Sequence, residues 1–78
     1  MNGRVFTEEQ KMKYDFVRTT LSALIREVTS NLHYQANYYV RGCREYVDIS
    51  FDNEYNVRRV DVTACSLLQL TRDVLKTF

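Results

Sequence analysis

The sequence predicts an α+β domain: a two-layer sandwich in the order α-β-β-β-α, with both helices packed on one face of a three-stranded antiparallel meander. Apolar residues recur at helical spacing near both ends of the chain. Between these stretches, polar and apolar side chains alternate, which is typical of half-buried strands. The expected ranges are 1–78 for a single domain, 1–6 for an N-terminal tail, 7–31 and 64–77 for the helices, and 34–41, 44–51 and 55–62 for the strands.

The first helix is predicted to begin at a capping box formed by Thr7 and Gln10. It is expected to end near Ser30 or Asn31. Its predicted core-facing side chains occur every three or four residues: Tyr14, Phe16, Val17, Leu21, Leu24, Ile25, Val28 and Leu32. The residues predicted to face solvent are Lys11, Lys13, Asp15, Arg18, Ser22, Arg26 and Glu27.

The first two strands can be aligned by assuming that Gly42 and Cys43 form a two-residue turn. Facing residues then have numbers that sum to 85, which places three largely apolar pairs on one face: Tyr38 with Val47, Ala36 with Ile49, and Tyr34 with Phe51. The other face receives Arg41 with Arg44, Tyr39 with Tyr46, Asn37 with Asp48, and Gln35 with Ser50. Glycine at the first turn position is what a type II′ turn requires.

The third strand follows a turn at Asp52-Asn53-Glu54, in which Asn53 can adopt a left-handed conformation. Its alternation then breaks in the middle of the strand. A β-bulge at Arg58 and Arg59 explains the break, and a longer loop before the strand explains it equally. Either arrangement pairs Val47 with Val60 and brings Arg58 or Arg59 close to Asp48. The bulge is the arrangement we expect.

Two residues compete for the N-cap of the last helix. Thr63 is the first candidate, and Ser66 with Gln69 forms a second capping box. The apolar side of this helix consists of Leu67, Leu70, Thr71, Val74, Leu75 and Phe78. With both helices on the apolar side of the sheet, the opposite side is expected to be open to solvent.

Composition narrows the class of protein. Eleven basic and ten acidic residues give a formal net charge of +1, whereas nucleic-acid-binding domains carry a clear basic excess. Eight of the basic residues are arginine, a residue enriched at protein interfaces. The first ten residues contain no apolar stretch typical of a signal peptide, and no run approaches the ~20 apolar residues needed to span a membrane. We expect a cytoplasmic protein with reduced cysteines.

Few residues suggest catalysis. His33 is the single histidine, and no cysteine or acid lies at a spacing typical of a catalytic or metal site. We therefore expect no enzyme activity, metal or cofactor. Cys43 lies between Arg41 and Arg44, and Cys65 is predicted to lie in the first turn of the last helix, where the helix dipole would favour a thiolate. The two thiols are either a neighbouring redox pair or, as we expect, a turn thiol and a small buried helix residue, both kept reduced.

Nucleic acid is the alternative partner. The double-stranded RNA-binding domain has the same order of elements, but it contacts phosphates through lysines at the start of its second helix. This chain reads Thr63-Ala64-Cys65-Ser66 there, so we do not assign it to that family. Bases could instead stack on the tyrosines of the open face, although Glu45, Asp48 and Asp61 would repel phosphate.

The open face of the sheet is the predicted site of interaction. Tyrosine and arginine dominate it, and these residues carry much of the binding energy at protein interfaces. The predicted partner-binding residues are Tyr39, Arg41, Arg44, Tyr46, Asp48, Arg58 and Arg59. A second copy could also pair with the edge strand 34–41, giving a homodimer. From its size we expect an inhibitor or adaptor of the kind that phages and mobile elements encode.

Overall fold

The long N-terminal helix, the three-stranded sheet and the C-terminal helix occur in the predicted order. The computed structural model describes residues 6–52 and 56–78. Its helical segments are α1 (Glu8–Phe16), a π-helical turn (Val17–Leu21), α2 (Ser22–Thr29) and α3 (Leu67–Leu75), and its strands are β1 (Tyr34–Arg41), β2 (Arg44–Phe51) and β3 (Asn56–Asp61). The antiparallel sheet has the order β1-β2-β3. The predicted α+β fold class is confirmed.

One core joins the helices to the sheet. Val17, Leu21 and Ile25 of the N-terminal helix and Leu70 and Val74 of α3 are fully buried. They belong to the same cluster as the inward-facing strand residues Ala36, Tyr38, Val47 and Ile49. Both helical layers therefore cover one face of the sheet and leave the other face open. Within the two described ranges, no helix is long and apolar enough to cross a membrane.

The N-terminal helix begins at the predicted capping box. The Gln10 N–H donates to Thr7 Oγ1 at 3.1 Å, and the Thr7 N–H donates to Gln10 Oε1 at 3.0 Å. The last helical residue is Thr29, because Ser30 has a left-handed conformation with φ of 55°. A left-handed residue of this kind ends a helix by redirecting the chain.

The π-helical turn changes which side of this helix is buried. The buried row is Lys13, Val17, Leu21 and Ile25, at a constant spacing of four. In a regular α-helix such a row drifts around the axis, but the wider turn from Val17 to Leu21 keeps both halves facing the sheet. The prediction for the second half of the apolar side was therefore wrong: Leu24, Val28 and Leu32 are 38%, 59% and 81% exposed.

Two polar residues expected at the surface are buried for the same reason. Lys13 is only 2% exposed, and its Nζ lies 2.7 Å from Oε1 of Glu45, whose side chain is 14% exposed. Ser22 is fully buried. Its Oγ accepts a hydrogen bond from the Ala36 N–H at 3.0 Å and lies 3.0 Å from the Val17 carbonyl oxygen and 3.3 Å from that of Ala36.

The β1–β2 hairpin has the predicted register over its whole length. All eight pairs from Tyr34 with Phe51 to Arg41 with Arg44 have numbers that sum to 85. Gly42 has a φ of 62°, whereas Cys43 is not among the described residues with positive φ. This combination of signs is that of the predicted type II′ turn.

The irregularity in β3 lies one residue before the predicted bulge. Arg59 pairs with Asp48 and Arg58 with Ile49, but the next pair is Ser50 with Asn56, so Val57 is the extra residue. A bulge at Arg58 and Arg59 is therefore wrong, because both residues pair regularly. The predicted pair of Val47 with Val60 is confirmed.

The turn before β3 is described only in part. Asp52 has the left-handed conformation, with φ of 53°. The residue predicted to adopt that conformation, Asn53, lies outside the described residues, as do Tyr55 and most of the N-terminal tail.

The C-terminal helix begins at the second of the two predicted caps. Ser66 Oγ accepts from the Gln69 N–H at 3.1 Å, and the helix starts at Leu67 rather than at residue 64. Thr63 is not the N-cap, since its Oγ1 accepts from the Glu45 N–H at 2.9 Å and so connects the chain to the start of β2. The chain then turns at Ala64, which has a φ of 62°.

Candidate interaction surface

The open face of the sheet carries the residues that the hairpin register assigned to it. Pairing places Tyr39 opposite Tyr46 and Asp48 opposite Arg59, and the described helices pack on the other side of the sheet. The described residues on this face that matter below are Asn37, Tyr39, Arg41, Arg44, Tyr46, Asp48, Arg59 and Asp61.

Tyr39, Tyr46, Asp48 and Arg59 form a compact group on this face, which we call the tyrosine–arginine cluster. The rings of Tyr39 and Tyr46 stack with their centroids 5.3 Å apart and an interplanar angle of 29°. The guanidinium carbon of Arg59 lies 5.6 Å from the Tyr39 centroid and 5.8 Å from the Tyr46 centroid. Both distances are within the range of cation–π attraction.

The carboxylate of Asp48 fixes the position of Arg59. Arg59 Nε donates to Asp48 Oδ1 at 3.0 Å, and Nη2 donates to Oδ2 at 3.4 Å. These hydrogen bonds raise the pKa of the Arg59 guanidinium above its usual value. Two parallel hydrogen bonds define the orientation of a guanidinium more sharply than one. The cluster is therefore already ordered within the single chain.

A second ion pair lies on the same face beside the hairpin turn. Arg44 Nη1 is 3.0 Å from Asp61 Oδ2. Thr63 donates to Asp61 Oδ1 through its hydroxyl at 2.6 Å and through its N–H at 2.9 Å. The two bonds from Thr63, followed by the charge of Arg44, lower the pKa of Asp61 below its usual value. Arg41 has no ion-pair partner within residues 6–52 and 56–78.

One predicted partner-binding residue lies on the opposite side of the sheet. Arg58 pairs with the buried Ile49 and so points toward the helices, with its guanidinium 4.4 Å from the centroid of Phe78. Glu45 also faces the helices, where it binds Lys13. The open face therefore carries Arg59 but not Arg58. Of the three acidic residues expected there, it carries Asp48 and Asp61 but not Glu45.

The two cysteines lie in different surroundings. Cys43 is exposed in the hairpin turn, and Cys65 is half-buried; both are free thiols. Cys65 precedes the N-cap Ser66, so the prediction that it lies in the first helical turn was wrong. Burial, followed by the charge of Asp73, raises the pKa of the Cys65 thiol. This direction is opposite to that of an activated thiol.

A further polar contact lies where the sheet joins the turn after β2. His33 Nδ1 lies 3.4 Å from Asp52 Oδ1, and both side chains are largely exposed. In the part of the chain that the structure describes, no group of three or more histidine, cysteine or acidic residues could hold a metal ion.

The buried pair of Lys13 and Glu45 is the polar site that sequence reasoning missed. Glu45 lies beside the buried Tyr38, and burial together with this carboxylate raises the pKa of the Tyr38 hydroxyl. The signal was present in the spacing, since Lys13 precedes Val17, Leu21 and Ile25 by steps of four.

Comparison of the chain with protein-family models, with curated proteins and with solved structures found no significant match.

Proposed function

We propose that this chain is a small, non-enzymatic, cytoplasmic module that binds another protein through the open face of its sheet. The observation that supports the proposal is the tyrosine–arginine cluster, in which Asp48 holds Arg59 against the stacked rings of Tyr39 and Tyr46. Aromatic and arginine side chains that are already ordered lose little conformational entropy on binding. They therefore provide strong anchor points for a partner.

The charges on this face favour a protein over nucleic acid. Arg59 is hydrogen-bonded to Asp48, and Arg44 is paired with Asp61. A phosphate backbone would have to compete with these carboxylates for the same guanidinium groups. A protein surface with mixed charges can instead extend both ion pairs into a larger network.

An inhibitor or adaptor is the type of module that we propose. A single small layer of sheet with one anchored cluster suits the blocking or bridging of a larger protein. Many phages and mobile elements encode small proteins that act in this way on a larger host complex. The proposal assigns no chemical step to the open face, because its described carboxylates are bound by arginine and threonine.

A pull-down with a matched control tests the proposal. Tagged wild-type protein and the Tyr39→Ala/Tyr46→Ala variant are incubated with nuclease-treated lysate, and captured proteins are identified by mass spectrometry. The control is Leu68→Ala, which removes an apolar side chain that is 72% exposed on α3, on the helical side of the sheet and not on its open face. Circular dichroism first establishes that all three proteins are folded.

The proposal predicts a partner that wild type and Leu68→Ala capture equally and that the double tyrosine variant loses. Binding of the purified partner should weaken by less than about tenfold between about 50 and about 200 mM salt, whereas several phosphate contacts would weaken it by about 10³-fold or more. Equal capture by all three proteins would show that the partner does not bind through the open face. Capture that disappears with nuclease treatment would point to nucleic acid.

A further inference from the structure

The two edges of the sheet differ in how their backbone groups are used. On the outer side of β1, the Ala36 N–H donates to Ser22 Oγ at 3.0 Å, and the Tyr34 carbonyl accepts from Arg26 Nε at 2.8 Å. Side chains of α2 therefore occupy the first half of this edge. A strand added there would have to break both hydrogen bonds, so the first half of the edge expected to pair with a second copy is covered by the chain itself.

The direction of the backbone groups in β3 follows from the same hydrogen bond. Because the Ala36 N–H points away from β2, the groups of its partner Ile49 point toward β3. Ile49 pairs with Arg58, so the N–H and C=O of Arg58 point back toward β2. Those of the next residue, Arg59, and of Asp61 therefore point away from the sheet.

A second hydrogen bond supports this alternation. The Val62 N–H donates to the Glu45 carbonyl at 2.9 Å. The backbone N–H and C=O groups of the even-numbered residues toward the end of β3 therefore point at β2. Among the described residues, no hydrogen bond satisfies the outward backbone groups of Arg59 and Asp61. The side chains of these two residues are exposed on the open face. The edge of β3 is thus available for pairing.

We propose that β3 pairs antiparallel with β3 of a second copy of this chain, about a twofold axis at Val60. In this register Arg59 lies opposite Asp61 of the second copy, and Asp61 lies opposite its Arg59. Both pairs exchange N–H and C=O groups that are otherwise unsatisfied, and both bring unlike charges together on the open face. This inference goes beyond the proposed function and does not depend on it.

Charge selects both the occupant and the register. An antiparallel pairing centred on Arg59 or on Asp61 would place two like charges directly opposite each other, which is destabilising. Pairing in the parallel direction would not exchange the unlike charges in this reciprocal way. Many sheet edges carry charges of one sign, which repel a second copy of the same edge. The β3 edge instead carries Arg59 and Asp61 two residues apart, and this pair is complementary to the same pair on an antiparallel second copy. The extra residue Val57 ends the regular edge and so limits sliding to another register.

A cysteine on the twofold axis tests the register directly. The two Val60 residues would form a non-hydrogen-bonded pair with Cα atoms about 4.5 Å apart, which is close enough for a disulfide bond. In a background of Cys43→Ser and Cys65→Ser, the Val60→Cys variant should form a covalent dimer under mild oxidation with glutathione disulfide. The matched control is Asn37→Cys at the middle of β1, which should form little covalent dimer.

Sedimentation of proteins without the introduced cysteine gives an independent test. Wild type should reach twice the 9.3 kDa mass of one copy as concentration rises. Asp61→Arg should remain monomeric, and the exchange Arg59→Asp/Asp61→Arg should regain dimerisation. Arg44→Gln removes the ion pair between Arg44 and Asp61 within each copy, and this variant should still dimerise. Wild type that remains monomeric at millimolar concentration would overturn the proposal, as would equal cross-linking of Val60→Cys and Asn37→Cys.

Discussion

The substitution Ser22→Ala tests the structural role of the buried hydroxyl between the N-terminal helix and β1. Ser22 Oγ accepts the Ala36 N–H at 3.0 Å, and its own hydrogen is shared between the carbonyls of Val17 and Ala36. Ser22 and Ala36 are both fully buried. Removing the hydroxyl therefore leaves the Ala36 N–H without a protein partner in a place that water does not reach.

The expected loss of stability follows from that single unsatisfied donor. A buried donor left without a partner costs about 1–3 kcal/mol. Alanine recovers up to about 0.5 kcal/mol because it favours the helix more than serine does. The net expectation is a decrease of about 0.5–3 kcal/mol in the free energy of unfolding. In a domain of this size, each kcal/mol corresponds to roughly 4–8 °C in Tm.

Urea and thermal unfolding followed by circular dichroism measure this change. The matched control is Thr19→Ala, because the exposed Thr19 hydroxyl donates to the Asp15 carbonyl at 2.7 Å and water can replace that bond. The control should change stability by less than about 0.5 kcal/mol. Amide hydrogen exchange adds a local measurement, since the Ala36 amide should exchange faster in Ser22→Ala. Equal stability of the two variants with an unchanged Ala36 exchange rate would refute this role for Ser22.

Three further predictions concern the buried ion pair, the hairpin turn and Asp61. Lys13→Met should destabilise the fold by about 3 kcal/mol because Glu45 loses its partner, and Lys13→Met/Glu45→Leu should recover most of that loss in the same unfolding assay. Gly42→Ala should cost about 1 kcal/mol through its φ of 62° alone, since a Cβ there would meet no atom within 4 Å. Thr63→Val should raise the pKa of Asp61 toward its usual 3.8, measured by NMR titration of the carboxyl group. The stabilisation from Asp61, present above pH 3.8 and lost as pH falls through its lower folded pKa, should then decrease.

The hairpin could be predicted from the sequence because several local signals agree. Gly42 fixes the turn, and the alternation on either side fixes which residues face each other. A one-residue slip would have exchanged the buried and exposed faces of both strands. The stacked pair of Tyr39 and Tyr46 followed directly from this register, so most of the open face could be placed before any coordinates.

The buried side of the N-terminal helix could not be predicted in the same way. Regular α-helical spacing favours Leu24 and Val28 as core residues, and only a wider turn lets the whole row from Lys13 to Ile25 face the sheet, with Ser22 buried beside it. Nothing local in residues 17–21 indicates a π-helical turn. The reason lies in tertiary contacts, because Glu45 binds Lys13 and the backbone of Ala36 binds Ser22.

The third strand and the last helix show where competing local signals need tertiary information. Thr63 and Ser66 are equally suitable caps by residue type, but Thr63 is used by Glu45 and Asp61. In β3, the irregularity lies at Val57, and Arg59 pairs with Asp48 and donates two hydrogen bonds to its carboxylate. Local preference indicated neither this position of the irregularity nor the use of Thr63 by Glu45 and Asp61, because both depend on contacts between distant parts of the chain.

The π-helical turn also bears on changes in chain length. The segment Val17–Leu21 contains one residue more than an α-helix uses for the same turn, and its positions Thr19 and Thr20 are exposed and do not belong to the core cluster. Deleting one of these residues would restore regular α-helical geometry while both halves of the helix still faced the sheet. We therefore expect this turn to accept the loss of a single codon in the middle of a helix, whereas a deletion elsewhere in the helix would rotate one half of its buried side toward solvent.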